Sequence, residues 1–525
     1  MKENVMTAEL ARKARRSNIV KGTIILTLAG FITRLIGFFY RIFLSNTMGA
    51  ELLGIYQLLF PVYSICFTIY ATGIQTSISR LVAAEIGKRN PKNVFKILRI
   101  GMFLSVSLAA LLSVLVYFSA DYIAWRFLLE ERSASSLRIL AVVFPFCGIT
   151  SCINGYYYGL KKAGVPASTQ LVEQLIRVVV VYMIALYAGK GDITVTCELA
   201  SVGIVVGEIA SCIYNLLSLF VTKSPNKIIL MGPDPQAKST GKNKILRELL
   251  HLSIPLSANR LLINILHSIE SIMIPTMLRR FGMSNSESLS AFGVLTGMSI
   301  PFILFPTAVI NALAVLLLPT ISEAQAVNNN KLIGRTTAVS VKYSLITGII
   351  STSIFVLFGK DLGTSIFHNE VAGDYLIILA WLCPFIYLTT TLSSIINGLG
   401  KAHITFINSV VGTVGKIILI VFLIPKYGIN GYLISLLIGQ LLTTFLDTFA
   451  VIKSIHFSFD AVNNLVKPGL IAALSGFLLK ECYTYLHKIT QMNEVVLILG
   501  FCFMICVISL GLLLITHAVS RKDFK

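Results

Sequence analysis

Residues 27–49 read TLAGFITRLIGFFYRIFLSNTMG. About 20 apolar residues in an α-helix cross a hydrocarbon core of about 30 Å. In lipid a single segment can satisfy its backbone hydrogen bonds only as a helix, so this stretch is predicted to be a spanning helix. It carries Arg34 and Arg41, seven residues or two turns apart and therefore on one face. A cation at mid-span costs roughly 2.5–3.5 kcal/mol on insertion scales. Arg34, with no acid in its own helix, is expected to face a polar cavity. Arg41 lies near the far end and has the headgroups within reach.

Similar runs recur along the chain, predicted at 22–44, 54–84, 97–120, 137–160, 168–189, 198–221, 248–277, 289–318, 338–359, 375–399, 405–425, 430–452, 465–486 and 494–517. Composition agrees. The 525 residues are 55% hydrophobic and 13% charged, with mean hydropathy +0.81, whereas soluble domains carry about 25% charged residues. The expected fold class is all-α: a polytopic membrane protein of about fourteen transmembrane helices.

A net charge of +20 would suggest nucleic acid in a soluble protein. Here the cations sit in short loops: Lys88, Arg89, Lys92 and Lys96, then Lys161 and Lys162, then Lys223, Lys227, Lys238, Lys242, Lys244 and Arg247, then Lys331, Arg335, Lys401 and Lys453, and finally Arg521, Lys522 and Lys525. Loops on the other side hold acids such as Asp121, Glu130, Glu131, Asp361 and Glu370. This bias places both termini in the cytoplasm of a bacterial inner membrane and makes anionic membrane lipids a partner. Nucleic acid is not expected. The nine cysteines are scattered with no CxxC pair and no accompanying His cluster, so no metal site and no cofactor is expected.

The longest loop, 222–246, contains KSPNKIILMGPDPQAKSTGKNK and reads as a flexible linker. Its Gly241-Lys242 lacks the glycine and the preceding strand of a phosphate loop. No loop is large enough for a catalytic domain, so the chain is not expected to be an enzyme. A shift of 239 residues superposes Ile139-Leu140-Ala141 on Ile378-Leu379-Ala380, Pro145-Phe146 on Pro384-Phe385, Gly159-Leu160 on Gly398-Leu399 and Gly54 on Gly293. Arg177 falls on Lys416. Such a repeat predicts two six-helix lobes of the same orientation around a central site. The expected organisation is a basic cytoplasmic N-terminus 1–21, an N-lobe 22–221, the linker 222–246, a C-lobe 247–452, and an appendage 453–525 with two helices.

Other ionisable groups lie inside spans. Glu173 and Arg177 are four apart and can pair. SANRLLINILHSIES, residues 257–271, sets Arg260, Asn264, His267 and Ser271 on one face with Glu270 beside them. Such a stripe is expected to avoid lipid. Glu208 and Asp447 read as structural acids. Arg34, Arg177, Arg260 and Lys416 outweigh Glu173 and Glu270, and a cationic cavity suits an anion, phosphate above all.

Several stretches together resemble a known family. They are Val20-Lys21-Gly22-Thr23; Thr33-Arg34-Leu35-Ile36-Gly37-Phe38 with Arg41 and Gly49; Gly73-Ile74-Gln75 through Ile78-Ser79-Arg80-Leu81-Val82-Ala83-Ala84-Glu85; Gly155-Tyr156 with Gly159; Gln170-Leu171-Val172-Glu173-Gln174 with Arg177; and Leu318-Pro319 with Ile321-Ser322-Glu323. Over essentially its whole length the chain resembles the stage V sporulation protein B and polysaccharide-flippase branch of the multidrug/oligosaccharidyl-lipid/polysaccharide exporter superfamily. That resemblance implies two six-helix lobes plus two helices, and a polyprenyl-diphosphate-linked saccharide as substrate. It also implies that Arg34 lines the cavity. Tyr40 stands where lipid II flippases often carry arginine, one place before Arg41.

The expected function is a flippase working by alternating access. Arg34, Arg41, Arg177, Arg260 and Lys416 would bind the head, with Glu173, Asn264, His267 and Glu270 as polar or coupling groups and a coupling cation as a further partner. The alternatives are a multidrug/cation antiporter of the same superfamily, which would want an acidic cavity, and a sporulation membrane protein without transport.

Overall fold

The computed structural model describes residues 2–88, 90–188, 195–221, 240–457, 459–490 and 492–518, with side chains from residue 28 onward. Helices fill nearly all of these, and no strand occurs among them. Thirteen helices are long and apolar enough to cross a membrane, or fourteen when one bent pair is counted as a single span.

The first two expected spans form one run: α1 (Lys2–Phe67), a π-helical turn Thr68–Thr72, and α2 (Gly73–Gly87). The segment 1–21, expected as a separate terminus, is helical from Lys2. The apolar part, Leu28–Gly87, has 60 residues. At 1.5 Å per residue this would reach about 90 Å, three hydrocarbon thicknesses, so it cannot run straight through. Gly49 breaks it, with φ 75° and ψ 169°, a conformation that a side chain would oppose. There follow α3 (Pro91–Phe118), α4 (Ser133–Ala141), α5 (Phe144–Gly159), α6 (Gly164–Ala188), α7 (Cys197–Val221) and α8 (Lys242–Phe281). Of the expected linker, 222–239 lies outside the described residues. The remainder opens α8, which starts earlier than expected.

The eighth expected span is broken into α9 (Asn285–Gly293), a π-helical turn Val294–Ser299, α10 (Ile300–Leu304) and α11 (Thr307–Ala326). Pro306 stands at the last break. Then come α12 (Asn330–Phe367), α13 (Glu370–Leu379), α14 (Cys383–Gly398), α15 (Ala402–Tyr427), α16 (Ile429–Ser454), α17 (Lys467–Ile489) and α18 (Glu494–Ile515). The fourth and tenth expected spans are each split. Pro145 and Pro384 sit in the first turn of α5 and α14, where proline starts a helix but cannot continue the preceding one. α4 and α5 meet at 46°.

Packing repeats at the same spacing as the sequence. One core joins Ile78, Val82, Val94, Ile153, Tyr156 and Tyr157. Adding 239 to each number gives Leu317, Ile321, Ile333, Leu392, Ile395 and Ile396, all members of a second core. A methyl group on Gly159 would stand 2.7 Å from the Ser79 carbonyl oxygen, and one on Gly398 3.2 Å from that of Leu318. Both glycines therefore admit a helix backbone at the same place in each half. After α6 and α15 the offset changes. Ala188 and Cys197 bracket eight residues, whereas Tyr427 and Ile429 bracket only Gly428. From α7 onward the halves correspond at 232, which pairs Gly207 with Gly439, Glu208 with Gln440 and Asn215 with Asp447.

The chain divides into two compact units, 1–40 with 55–272, and 41–54 with 273–525. This differs from the expected division. Ile245 and Leu249 of α8 are buried in the core of α2, α3 and α5. Gly73 admits the Ser253 carbonyl and the Ser257 hydroxyl. Most of α8 thus belongs to the first unit. In the second unit, Asn46 Nδ2 donates to the Ile366 carbonyl at 3.0 Å and Ser286 Oγ to Glu51 at 2.6 Å. There the glycine pair Gly54 and Gly293 makes a reciprocal contact. A side chain on Gly54 would strike the Leu289 carbonyl, and one on Gly293 the Ala50 carbonyl. The appended α17 packs on α12 within this unit. Ser353 Oγ donates to the Ala472 carbonyl at 2.7 Å, and Lys480, bonded to Asp361, lies 4.6 Å from the Phe358 ring.

Candidate functional site

In the first unit the intramembrane charges centre on α6. The Arg177 guanidinium bonds Glu173, one turn earlier, with both side chains about one-fifth exposed. Its stem lies on α7, where Gly203 and Gly207 leave room; a methyl on Gly207 would be 3.2 Å from Arg177 Cβ. Beside Gly207, buried Glu208 is near enough to act electrostatically on both Glu173 and Arg177. Two carboxylates thus act on one guanidinium, of which Glu173 alone is ion-paired with it among the described residues. Ser211 Oγ donates to the Glu208 main-chain oxygen at 2.9 Å.

The second unit repeats the frame with different charges. Lys416 lies on α15 with its stem over Gly439 of α16, where a methyl would come within 2.7 Å of Lys416 Cβ. The positions matching Glu173 and Glu208 hold Gly412 and Gln440. Two turns along α16, Asp447 is 1% exposed and accepts from Asn408 Nδ2 at 2.8 Å and Ser393 Oγ at 3.0 Å. Its counterpart Asn215 accepts from Thr169 Oγ1 at 2.9 Å and donates to Asn154 Oδ1 at 3.4 Å. Thr169 and Asn154 are the counterparts of Asn408 and Ser393. Each half therefore ties its fourth, fifth and sixth spans with one polar knot, neutral in the first half and carrying a carboxylate in the second.

Arg34 is exposed and makes no hydrogen bond or ion pair among the described residues. One turn on, Gly37 faces the buried Gln174 of α6, with 3.5 Å from a methyl there to Nε2. Arg41 is exposed and falls in the segment 41–54 of the second unit. Tyr40, beside it, is buried at 5%. On α8, Arg260 is exposed and makes no ion pair among the described residues. Asn264 is held in packing: its Nδ2 donates to Thr68 Oγ1 at 2.7 Å, in the π-helical turn. Ser268 Oγ reaches the Pro61 carbonyl at 3.4 Å. His267 Nδ1 stands 3.5 Å from Glu270 Oε2, the histidine half exposed and the acid buried.

Arg34, Glu173, Arg177, Arg260, Asn264, His267 and Glu270 thus belong to the first unit, Arg41 and Lys416 to the second. A cavity of about 590 Å³ opens at the start of α8, lined by residues from Asn243 to His251, and none of the expected site residues lines it. Sequence reasoning missed the closeness of Glu208 to Arg177 and the two polar knots. Their correspondence needs the seven-residue change of offset that brings Gly207 onto Gly439, which runs of leucine and isoleucine mask.

Residues 19–325 match the family described as "Polysaccharide biosynthesis protein". The chain is 24% identical to "Stage V sporulation protein B" of Bacillus subtilis (strain 168) over 97% of its own length and 98% of that protein's. It is 22% identical to "Lipid II flippase MurJ" of the same organism, over 88% of each. A solved structure, "Lipid II flippase MurJ, inward closed conformation", shares its fold with a TM-score of 0.66 at 16% identity, covering 92% of this chain and 98% of that one.

Proposed function

The chain belongs to the polysaccharide biosynthesis protein family, and from that premise we propose that it carries a polyprenyl-diphosphate-linked sugar from the inner to the outer leaflet. The observation that carries this reading is the pair of cations, Arg34 and Arg260, exposed on spanning helices without a carboxylate partner among the described residues. Each costs roughly 2.5–3.5 kcal/mol in lipid, a cost that an anionic headgroup offsets. Likeness to a lipid II flippase over 88% of each chain supports a diphosphate as that anion. Likeness to a stage V sporulation protein supports a role in sporulation.

Both termini lie in the cytoplasm of the bacterial inner membrane. The halves alternate access to the head while the polyprenyl tail stays in lipid. Arg177 and Lys416, each laid on a glycine of the next helix, occupy matching places in the two halves. No bond of the substrate is made or broken. Outward movement of the anion follows the membrane potential, gaining about 2.3 kcal/mol per charge per 100 mV.

Purified protein in liposomes containing a fluorescent polyprenyl-diphosphate sugar tests this. The unaltered protein should expose inner-leaflet substrate to an outside reagent and return it chemically unchanged. Arg34→Ala should lower the rate about tenfold or more while inserting normally, because a charge-assisted contact of about 1.5–3 kcal/mol is lost. Unaltered transport by that variant would remove Arg34 from the site.

A further inference from the structure

Where the linker re-enters the described structure it is clasped. The Thr240 N–H donates to Asn93 Oδ1 at 3.0 Å, and the Thr240 hydroxyl accepts from Asn93 Nδ2 at 2.8 Å. The Thr240 carbonyl accepts from Lys96 Nζ at 3.0 Å. Asn93 is 1% exposed, and its Nδ2 also reaches Glu85 Oε2 at 2.8 Å. Asn93 lies in the first turn of α3, and Thr240 stands two residues before α8, so the two helices begin side by side in the first unit. Ile245 and Leu249 pack against Val94, Ile97 and Leu98 beneath the clasp.

The clasp gathers cations. Lys92 and Arg99 are exposed on α3 and Lys242, Lys244 and Arg247 on α8, with Lys96 between them. Nearby acids are few. Glu85 is taken by Lys88, at 3.0 Å, and by Asn93. Glu248 is near enough to Lys88 to act on it. The positive ends of two long helices add to the potential. Lys92, Phe95, Lys96 and Arg99 share one face of α3, which continues into bare apolar surface: Phe95 is 44% exposed, Phe103 77% and Leu111 56%. Positive charge at the end of a span, directly above an exposed apolar face, matches a molecule with an anionic head and an apolar tail.

We propose that this patch is a binding site for an anionic phospholipid of the bilayer. The headgroup phosphate lies among Lys92, Arg99 and Lys242, an acyl chain lies along Phe95 and Phe103, and the lipid fastens the start of α8 to α3. The site is separate from the intramembrane cations and would stand whether or not the transport reading does.

Native mass spectrometry of the purified full-length protein, delipidated and offered phosphatidylglycerol and phosphatidylcholine in competition, tests it. Phosphatidylglycerol should be retained preferentially, with each of the three cations contributing about fivefold. Lys92→Gln/Arg99→Gln/Lys242→Gln should abolish the preference. Asn93→Ala, which opens the clasp but keeps every cation, should weaken it. High salt on the unaltered protein should erase it too, and that arm decides the matter if a variant fails to fold. Equal retention of the two lipids, preference surviving in the triple variant or in high salt, or displacement of the lipid by inorganic phosphate would each overturn the assignment. Transport activity, measured separately, bears on the flippase reading alone.

Discussion

Arg177 shows how much a neighbour through space can alter a charge that the sequence displays openly. Glu173 stands one helical turn away and its pairing is legible from spacing alone. Glu208 comes from another helix, so nothing in the local sequence announces it. With two acids and one base packed together, the order of costs is set. Arg177→Gln leaves Glu173 without its partner and within electrostatic reach of buried Glu208, and should cost about 3–5 kcal/mol. Glu173→Gln leaves Glu208 to neutralise the guanidinium and should cost less. Combining the two should recover part of the loss. Thermal unfolding in detergent of the three variants checks this; a cost for Glu173→Gln as large as that for Arg177→Gln would separate Glu208 from the cluster.

Among the elements, the breaks left signals in the sequence that the continuous expected spans passed over. Pro145 and Pro384 announce the split fourth and tenth spans because proline cannot continue a helix, and their 239 spacing says that both halves do the same thing. Gly49 gave a weaker signal, since a glycine inside an apolar run fits a helix as well as a break. The stripe on α8 was visible as polarity, yet the commitment of Asn264 to Thr68 depends on a π-helical turn that no periodicity reveals. The change of offset between α6 and α7 was hidden, because leucine and isoleucine match leucine and isoleucine at almost any shift. It makes a direct prediction. Keeping Gly189 and deleting residues 190–196 reproduces the Tyr427-Gly428-Ile429 connection. The deletion removes buried Val195 and the Thr196 hydroxyl that accepts from the Leu199 N–H. Together these should cost about 2–4 kcal/mol. The shortened protein should nevertheless purify folded and monodisperse; aggregation on every attempt would show that the two halves do not share this connection.

At the scale of the whole molecule, the thirteen or fourteen spans among the described residues and their repeat were readable from composition and from a handful of Pro, Gly and Lys positions. The boundary between units was not. Chain order assigns α8 to the second half, while its residues up to 272 belong to the first unit, with Ile245 and Leu249 buried in that unit's core, a matter of packing that sequence order cannot express. The same holds for residues 41–54, which fold with the second unit although they precede almost all of the first.

One contact in that second unit has a thermodynamic consequence. Gly54 and Gly293 occupy matching places in the repeat and meet the carbonyls of Leu289 and Ala50 respectively, themselves matching residues. Gly54→Ala and Gly293→Ala therefore push apart the same two backbones, and once either has done so the other finds the space already open. In a double-mutant cycle the paired variant should lose little more stability than the worse single one, a coupling of about 1 kcal/mol or more, whereas strict additivity would mean that the two glycines guard separate contacts.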